Sequence, residues 1–217
     1  MKSKFCRRLT KILKVDTLLH IKTIQKGKDM NVYDFDNTIY DGESCFDLFK
    51  FYIKKDPSLL KLFPKVAKGF ARYKKGDISL NEMIAKYVPL AESRLKHIDY
   101  ENEPKQFWDA HMDKIKPFYK EIQKEDDLII TASPDFHIEE ICKRLGIKQY
   151  LTTKVDKENS KITFACIRQN KITAFKELYG DKEIENFYTD SPENDAPMIE
   201  LAKHAFVVKG NQITQVK

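Results

Sequence analysis

Asp34 and Asp36 stand one residue apart where the apolar run Met30-Asn31-Val32-Tyr33 gives way to Phe35, Asn37 and Thr38. The lead-in reads as a buried strand, and the Asp-Asn chemistry as the turn that ends it. Side chains alternate along a strand, so both aspartates project to the same side where a sheet opens to solvent. Two carboxylates this close repel each other and stay charged together only beside positive charge. A hard divalent cation such as Mg2+ supplies it, because it takes carboxylate and carbonyl oxygens.

A second apolar run, Ile184 to Thr189, ends in Asp190-Ser191-Pro192-Glu193-Asn194-Asp195, after which Met198, Leu201 and Ala202 keep helical spacing. Acids again sit at the carboxyl end of a strand, the edge where open α/β sheets bind ligands. If the two strands are neighbours in one parallel sheet, Asp34, Asp36, Asp190 and Asp195 converge on one small volume that needs a cation. Taken singly, these residues are bland: an Asp-x-Asp is a turn, Asp190 a turn acid and Asp195 a helix N-cap. A capping acid can also contact a metal-bound water.

Between these runs, Asp127 to Pro134 reads as an apolar strand that ends in hydroxyls, Ser133 among them, just ahead of a helix beginning near Phe136. A hydroxyl beside free helix N–H groups makes a phosphate cradle. Lys171 opens the helical stretch Ile172 to Tyr179 and could clamp a phosphoryl oxygen while offsetting carboxylate charge.

In this order the set resembles the haloacid dehalogenase superfamily of phosphohydrolases, over nearly the whole chain from Met30 onward. The resemblance implies that Asp34 is the nucleophile that takes the phosphoryl group. Asp36 would protonate the leaving group and then deprotonate water, and Thr38 would support the loop. Ser133 and Lys171 would hold phosphoryl oxygens. Asp34, the backbone carbonyl of Asp36 and Asp190 would bind Mg2+, with Asp195 as ligand or just behind. A carboxylate is a usable nucleophile toward phosphorus once a metal neutralises the phosphate. Two in-line displacements let one group serve first as acid and then as base. A response-regulator-like domain also uses Asp, Ser or Thr and Lys around Mg2+, but the motif order, Asp36 and the long insert argue against it. A catalytically silent phosphate-binding protein on the same fold is the other alternative.

The elements that must position these groups follow from periodicity. The expected fold is α/β: a Rossmann-like core with a parallel sheet over residues 30–44 and 123–217, and a small all-helical cap over 45–122. Within that insert, Asp56-Pro57 starts a helix with Leu59, Leu60, Phe63, Val66, Ala67 and Phe70 on one face, kinked at Pro64. Ser79 to Glu82 is a capping box for a helix through Ala91. Phe107, Trp108, His111, Met112, Ile115, Phe118 and Tyr119 stripe a third, long helix. Tyr150 to Val155 and Lys161 to Phe164 suggest a hairpin, and Ala205 to Val208 and Gln212 to Thr214 the last strands. The location of the insert matches the small cap of the superfamily's first subclass. Such a lid excludes water and sets specificity, which implies a small or protruding phosphomonoester as substrate.

The closest subgroup by resemblance is that of phosphoserine phosphatases. Glu43, nine residues after Asp34, stands where those enzymes place an acid for the substrate amine; otherwise it is a helix-start acid. Where they carry a carboxylate-binding Arg, this chain has Ala85 beside Lys86, and its last motif is one residue longer. Phosphoserine therefore competes with a cationic head group without a carboxylate, such as phosphocholine or phosphoethanolamine, and with a lipid phosphate head group.

The chain has 217 residues, with Lys+Arg 39 against Asp+Glu 33, a net charge of +6. That mild excess suits an anionic substrate or surface and does not indicate a nucleic-acid binder. Cys6, Cys45, Cys142 and Cys166 form no CxxC pair and read as reduced thiols, with Cys45 near the site and a cytoplasmic location implied. His137 follows the Ser133 loop and reads as structural more readily than as a phosphate contact, and His111 as a core residue. Over residues 1–29, basic positions alternate with Phe5, Leu9, Ile12 and Leu13 at helical spacing. The segment suggests weak contact with an anionic membrane surface, a helix packed on the protein, or an extension upstream of a true start at Met30.

Overall fold

The computed structural model describes residues 30–74, 77–78 and 80–217. The basic segment 1–29 and the Ser79 end of the expected capping box lie outside the described residues. Seven strands form one sheet in the order β4-β3-β2-β1-β5-β6-β7. At its centre β1 (Met30–Tyr33) runs parallel to β2 (Leu128–Pro134) on one side and β5 (Ile184–Thr189) on the other. Beyond them β3 (Gln149–Asp156) and β6 (Ala202–Lys209) continue the parallel set. Antiparallel edge strands finish both sides: β4 (Lys161–Phe164) against β3, and β7 (Gln212–Gln215) against β6. This is the mixed α/β, mostly parallel architecture that the strand pattern predicts.

The central strands are buried on both faces, which is why they read as nearly continuous apolar runs. Met30 and Val32 face one layer, with Leu128, Ile130 and Phe187 and with Phe175 and Met198 from the helices beyond. Tyr33 and Phe35 face the other, with Ile129, Tyr119, Phe107 and Trp108. Tyr33 stacks on Tyr188 at 4.6 Å and meets Tyr119 edge-on at 5.0 Å. The first layer comprises α7 (Gln169–Tyr179) and α8 (Ala196–Leu201); α6 (Asp135–Leu145) follows β2 on the second.

Among the described residues, the regular elements that connect β1 to β2 are helices and 3-10 turns. The connection runs through α1 (Ser44–Lys55), a 3-10 turn (Pro57–Leu62), α2 (Phe63–Lys74), α3 (Leu80–Leu95), α4 (Glu103–Asp109), a second 3-10 turn (Met112–Lys114) and α5 (Pro117–Ile122). Two expectations change here. The helix predicted from Asp56-Pro57 begins as a 3-10 turn, where the Asp56 carboxylate takes the Ser58 N–H at 3.1 Å. Leu60 is 58% exposed, and Pro64 is the second residue of α2, where it kinks nothing. The long third helix is three short pieces. Pro117 forces Lys116 into extended backbone, and Ile115 pairs with Tyr40 instead of continuing a helix.

Packing within the insert is uneven. Trp108 of α4 is fully buried between Phe35 at 5.9 Å and His137 at 4.7 Å, and its indole N–H donates to the His137 carbonyl at 2.8 Å. The α4–α5 stretch is thereby bonded into the core, whereas α3 meets the sheet edge through Glu92, which accepts from Lys161 and from the Ile162 N–H.

Candidate active site

The strand order reverses about β1: the chain passes from β1 to β2 on one side and reaches β5 on the other. The crevice at the carboxyl ends of these strands is where such sheets take ligands. The Asp34 N–H extends the ladder one residue past β1, donating to the Tyr188 carbonyl at 2.9 Å. Asp34 keeps the Met30/Val32 side and so faces α7. There Lys171, in the first turn, donates to Asp34 at 2.9 Å and to Asp195 at 2.8 Å. All three are buried, and Asp195 also accepts the Thr189 hydroxyl at 2.8 Å. Asp195 occupies the N-cap position of α8, but its side chain makes no cap bond, because Lys171 and Thr189 take both oxygens.

Asp36 parts from Asp34. The strand has ended, and a turn with Asn37 at φ +55° redirects the chain. Its carboxylate accepts the Ser44 N–H at 2.6 Å and the Ser133 hydroxyl at 2.8 Å. Asp36 thus caps the start of α1, where the helix dipole favours negative charge. The Ser133 hydroxyl also lies 3.2 Å from that of Ser44 and 3.1 Å from the Cys45 thiol, so the expected proximity of Cys45 holds. The N-terminus of α6 is less open than a phosphate cradle would want, since Asp135 accepts the Phe136 N–H at 2.9 Å.

Asp190 stands half-buried just past β5, where Asp195 and Asp36 repel its charge. Thr38 is fully buried and its hydroxyl has no partner among the described residues. Glu43 is exposed at the N-cap of α1 and accepts the Asn37 amide at 2.9 Å. Ser44, Thr189 and Lys116 are site neighbours that sequence reasoning missed. Thr189, the last residue of a strand leading into the acids, carried a signal that could have been read; a lysine before a proline carried none. His137 is buried against Trp108 and Phe107, away from any phosphate role, and neither ring nitrogen finds a partner among the described residues.

Electrostatics follow from crowding. Burial, with Asp195 and Asp36 adding repulsion, pushes the Asp34 carboxyl above the ordinary carboxylate range against the pull of Lys171. Asp36 is raised by burial despite the donors from Ser44 and Ser133, and Asp190 by burial and then Asp195. Burial works against the Lys171 ammonium, but Asp34 and Asp195 outweigh it and hold its pKa above the ordinary value. Four carboxylates outnumber the two ammoniums near them, Lys171 and Lys116, and call for more positive charge. Among the described residues no three His, Cys, Asp or Glu side chains form a closed metal cage. Mg2+ does not require one: it keeps several waters and binds through one or two carboxylates plus substrate phosphate. The donor set, hard oxygens throughout, fits that ion.

Acids, an ammonium and a hydroxyl thus gather at the switch point of an α/β sheet. A family model for haloacid dehalogenase-like hydrolases matches residues 32–200, and the chain belongs to that family. No curated protein matches the chain in sequence. Among solved structures it is similar to a protein of unknown function from Bordetella pertussis Tohama I (TM-score 0.67, 14% identity, 82% of this chain and 89% of that one). A phosphoserine phosphohydrolase-like protein from Francisella tularensis subsp. tularensis SCHU S4 aligns with TM-score 0.58 and 21% identity over 82% and 86% of the two chains. A HAD family hydrolase from Salmonella enterica subsp. enterica serovar Typhi aligns with TM-score 0.53 and 16% identity over 93% and 70%. At these identities the structures speak for the fold.

Proposed function

We propose that the protein is a Mg2+-dependent phosphomonoester hydrolase that carries the phosphoryl group on Asp34. The observation that supports this most is the separation of two neighbouring carboxylates into different settings. Burial raises both carboxylates, but Asp34 is bound to an ammonium that pulls it back toward its ionised form, while Asp36 rests on a hydroxyl and an amide. One group is thus set to attack and the other to donate a proton.

In the first displacement an Asp34 oxygen attacks phosphorus, the ester P–O bond breaks, and the leaving oxygen takes the proton from Asp36. In the second, water attacks phosphorus and gives its proton to Asp36, and the Asp34–phosphorus bond breaks to release inorganic phosphate. Lys171 and Ser133 meet phosphoryl oxygens, where charge spreads in the transition state. Mg2+, which phosphatases of this family generally use, would be held by Asp34, the Asp36 carbonyl and Asp190 with Asp195 behind, neutralising phosphate charge and favouring ionised Asp34. The helical insert, residues 45–122, serves as the cap over a core of 30–44 and 123–217.

The substrate we favour is a small phosphomonoester with an amine and no carboxylate. Glu43 can face a cation at the site's edge, and Ala85 with Lys86 offers no guanidinium for a carboxylate. Phosphate release from p-nitrophenyl phosphate with Mg2+ tests the reaction. A panel of phosphoserine, phosphocholine, phosphoethanolamine and lipid head groups tests the substrate. Silence across all of them would leave a phosphate-binding protein without turnover. Glu43→Ala should lose activity toward amine-bearing esters only; equal loss toward every ester counts against the amine. No helix among the described residues is long and apolar enough to cross a membrane; the cytoplasmic location and any membrane-surface contact through residues 1–29 remain part of this proposal.

A further inference from the structure

We propose that Lys116 is a positioning residue for this chemistry, fixing the turn that carries Asp36. Its kinetic consequence rests on the phosphomonoesterase reading; its structural consequence does not. Lys116 is 4% exposed and sits at the N-cap of α5, where the insert re-enters the core. Its ammonium donates to the backbone carbonyl of Asn37. Asn37 lies between Asp36 and Thr38 in the left-handed region, which asparagine tolerates better than other L residues and which turns the chain sharply here.

From Asn37 the bonding runs back to Asp36. The Asn37 N–H donates to the Gly42 carbonyl at 2.8 Å and its side-chain amide to Glu43 at 2.9 Å. The next residue, Ser44, gives its N–H to the Asp36 carboxylate at 2.6 Å. The loop from Asp36 to Ser44 is therefore closed on itself, and Lys116 grips it at its left-handed residue. The segment around Lys116 is laid along the same loop: the Lys116 N–H donates to Ile39 at 2.8 Å, and the Asp41 N–H to Lys114 at 2.7 Å.

A methionine would fill the same space without taking a charge out of water, so the ammonium is not explained by packing. Burial does press the Lys116 pKa down, with Asp41 and then Asp190 opposing. Those two carboxylates are the charges it answers, one on the loop and one at the end of β5. Lys116 thus ties the loop of the first motif to the point where the insert rejoins the sheet.

Lys116→Met and Lys116→Arg test this by hydrogen exchange and by kinetics on p-nitrophenyl phosphate. In Lys116→Met, amides of residues 37–44 should exchange at least about tenfold faster, while β2 and β5 stay protected. kcat should fall at least about tenfold with KM changed less than about threefold, the signature of a misplaced group rather than lost ground-state binding. Lys116→Arg, which keeps a donor, should recover part of both. Unchanged exchange over 37–44 overturns the proposal, as does kcat within about twofold of the parent. Faster exchange throughout the sheet without recovery by Arg also overturns it, since Lys116 would then be a general stability residue. If the parent protein turns over no ester, the phosphatase reading fails by itself and the exchange arm still decides Lys116.

Discussion

Removing Lys171 should expose how strongly the site depends on one ammonium. In Lys171→Met two buried carboxylates, Asp34 at 9% and Asp195 at 2% exposure, lose the cation that bonds them at 2.9 and 2.8 Å. Deleting one partner of a buried ion pair typically costs about 3–5 kcal/mol, because the remaining charge is left in a poor solvent. Here the two acids also repel each other, so the upper half of that range is expected at pH 8 in EDTA. Urea unfolding at pH 8 measures it. Asp34→Asn removes one of the two charges, so in the double variant Lys171→Met should cost at least about 1 kcal/mol less than it does alone. A penalty below about 1 kcal/mol, or one untouched by Asp34→Asn, would refute the picture of a charge-starved pocket.

Three further outcomes follow from the same geometry. Burial in neutral form brings His137 down to about 3 from 6.5, so the unfolded chain takes its proton first. Its contribution to stability is full above pH 6.5 and falls by about 1.4 kcal/mol per pH unit as pH drops toward 3. His137→Phe should flatten that acid-side slope in denaturant titrations; an identical slope refutes it. Asp127 behaves oppositely. Burial raises it to about 6 from 3.8, so its ionisation costs stability above pH 6 and the cost fades as pH falls toward 4. Asp127→Asn cannot ionise but keeps one acceptor oxygen where Asn31 and the Lys124 N–H each use their own, so its effect on stability should be more favourable at pH 7 than at pH 4 by about 1–3 kcal/mol. Equal effects at both pH values would contradict this. Ser133→Ala deprives Asp36 of a donor at 2.8 Å and should lower kcat at least about tenfold, whereas unchanged turnover would leave the hydroxyl idle.

The acids were legible in the sequence because strand ends have a simple grammar. An apolar run buried on both faces, stopped by Asp and Asn, places its last side chains at the sheet's open edge. Asp34, Lys171 and Asp195 accordingly meet within hydrogen-bond reach across 137 and 24 residues of chain. Alternation along β1 predicts Asp36 on the same side as Asp34, and it does not foresee how the left-handed turn at Asn37 carries Asp36 to Ser133 and α1. The insert was legible as helical and illegible in its breaks: the apolar stripe from Phe107 to Tyr119 persists through a 3-10 turn and an extended link, because its residues face one core whatever the backbone does between them. Lys116 was invisible, since nothing local marks a lysine whose partner is a carbonyl 79 residues away.

The central claim is that Asp34 takes the phosphoryl group. Rapid denaturing quench of the enzyme with a labelled phosphomonoester and Mg2+ should trap label on the protein, released by hydroxylamine as an acyl phosphate is. In Asp34→Asn no label should be trapped and no phosphate released, with the circular dichroism unchanged. Label on another residue, or full turnover by Asp34→Asn, would contradict the account.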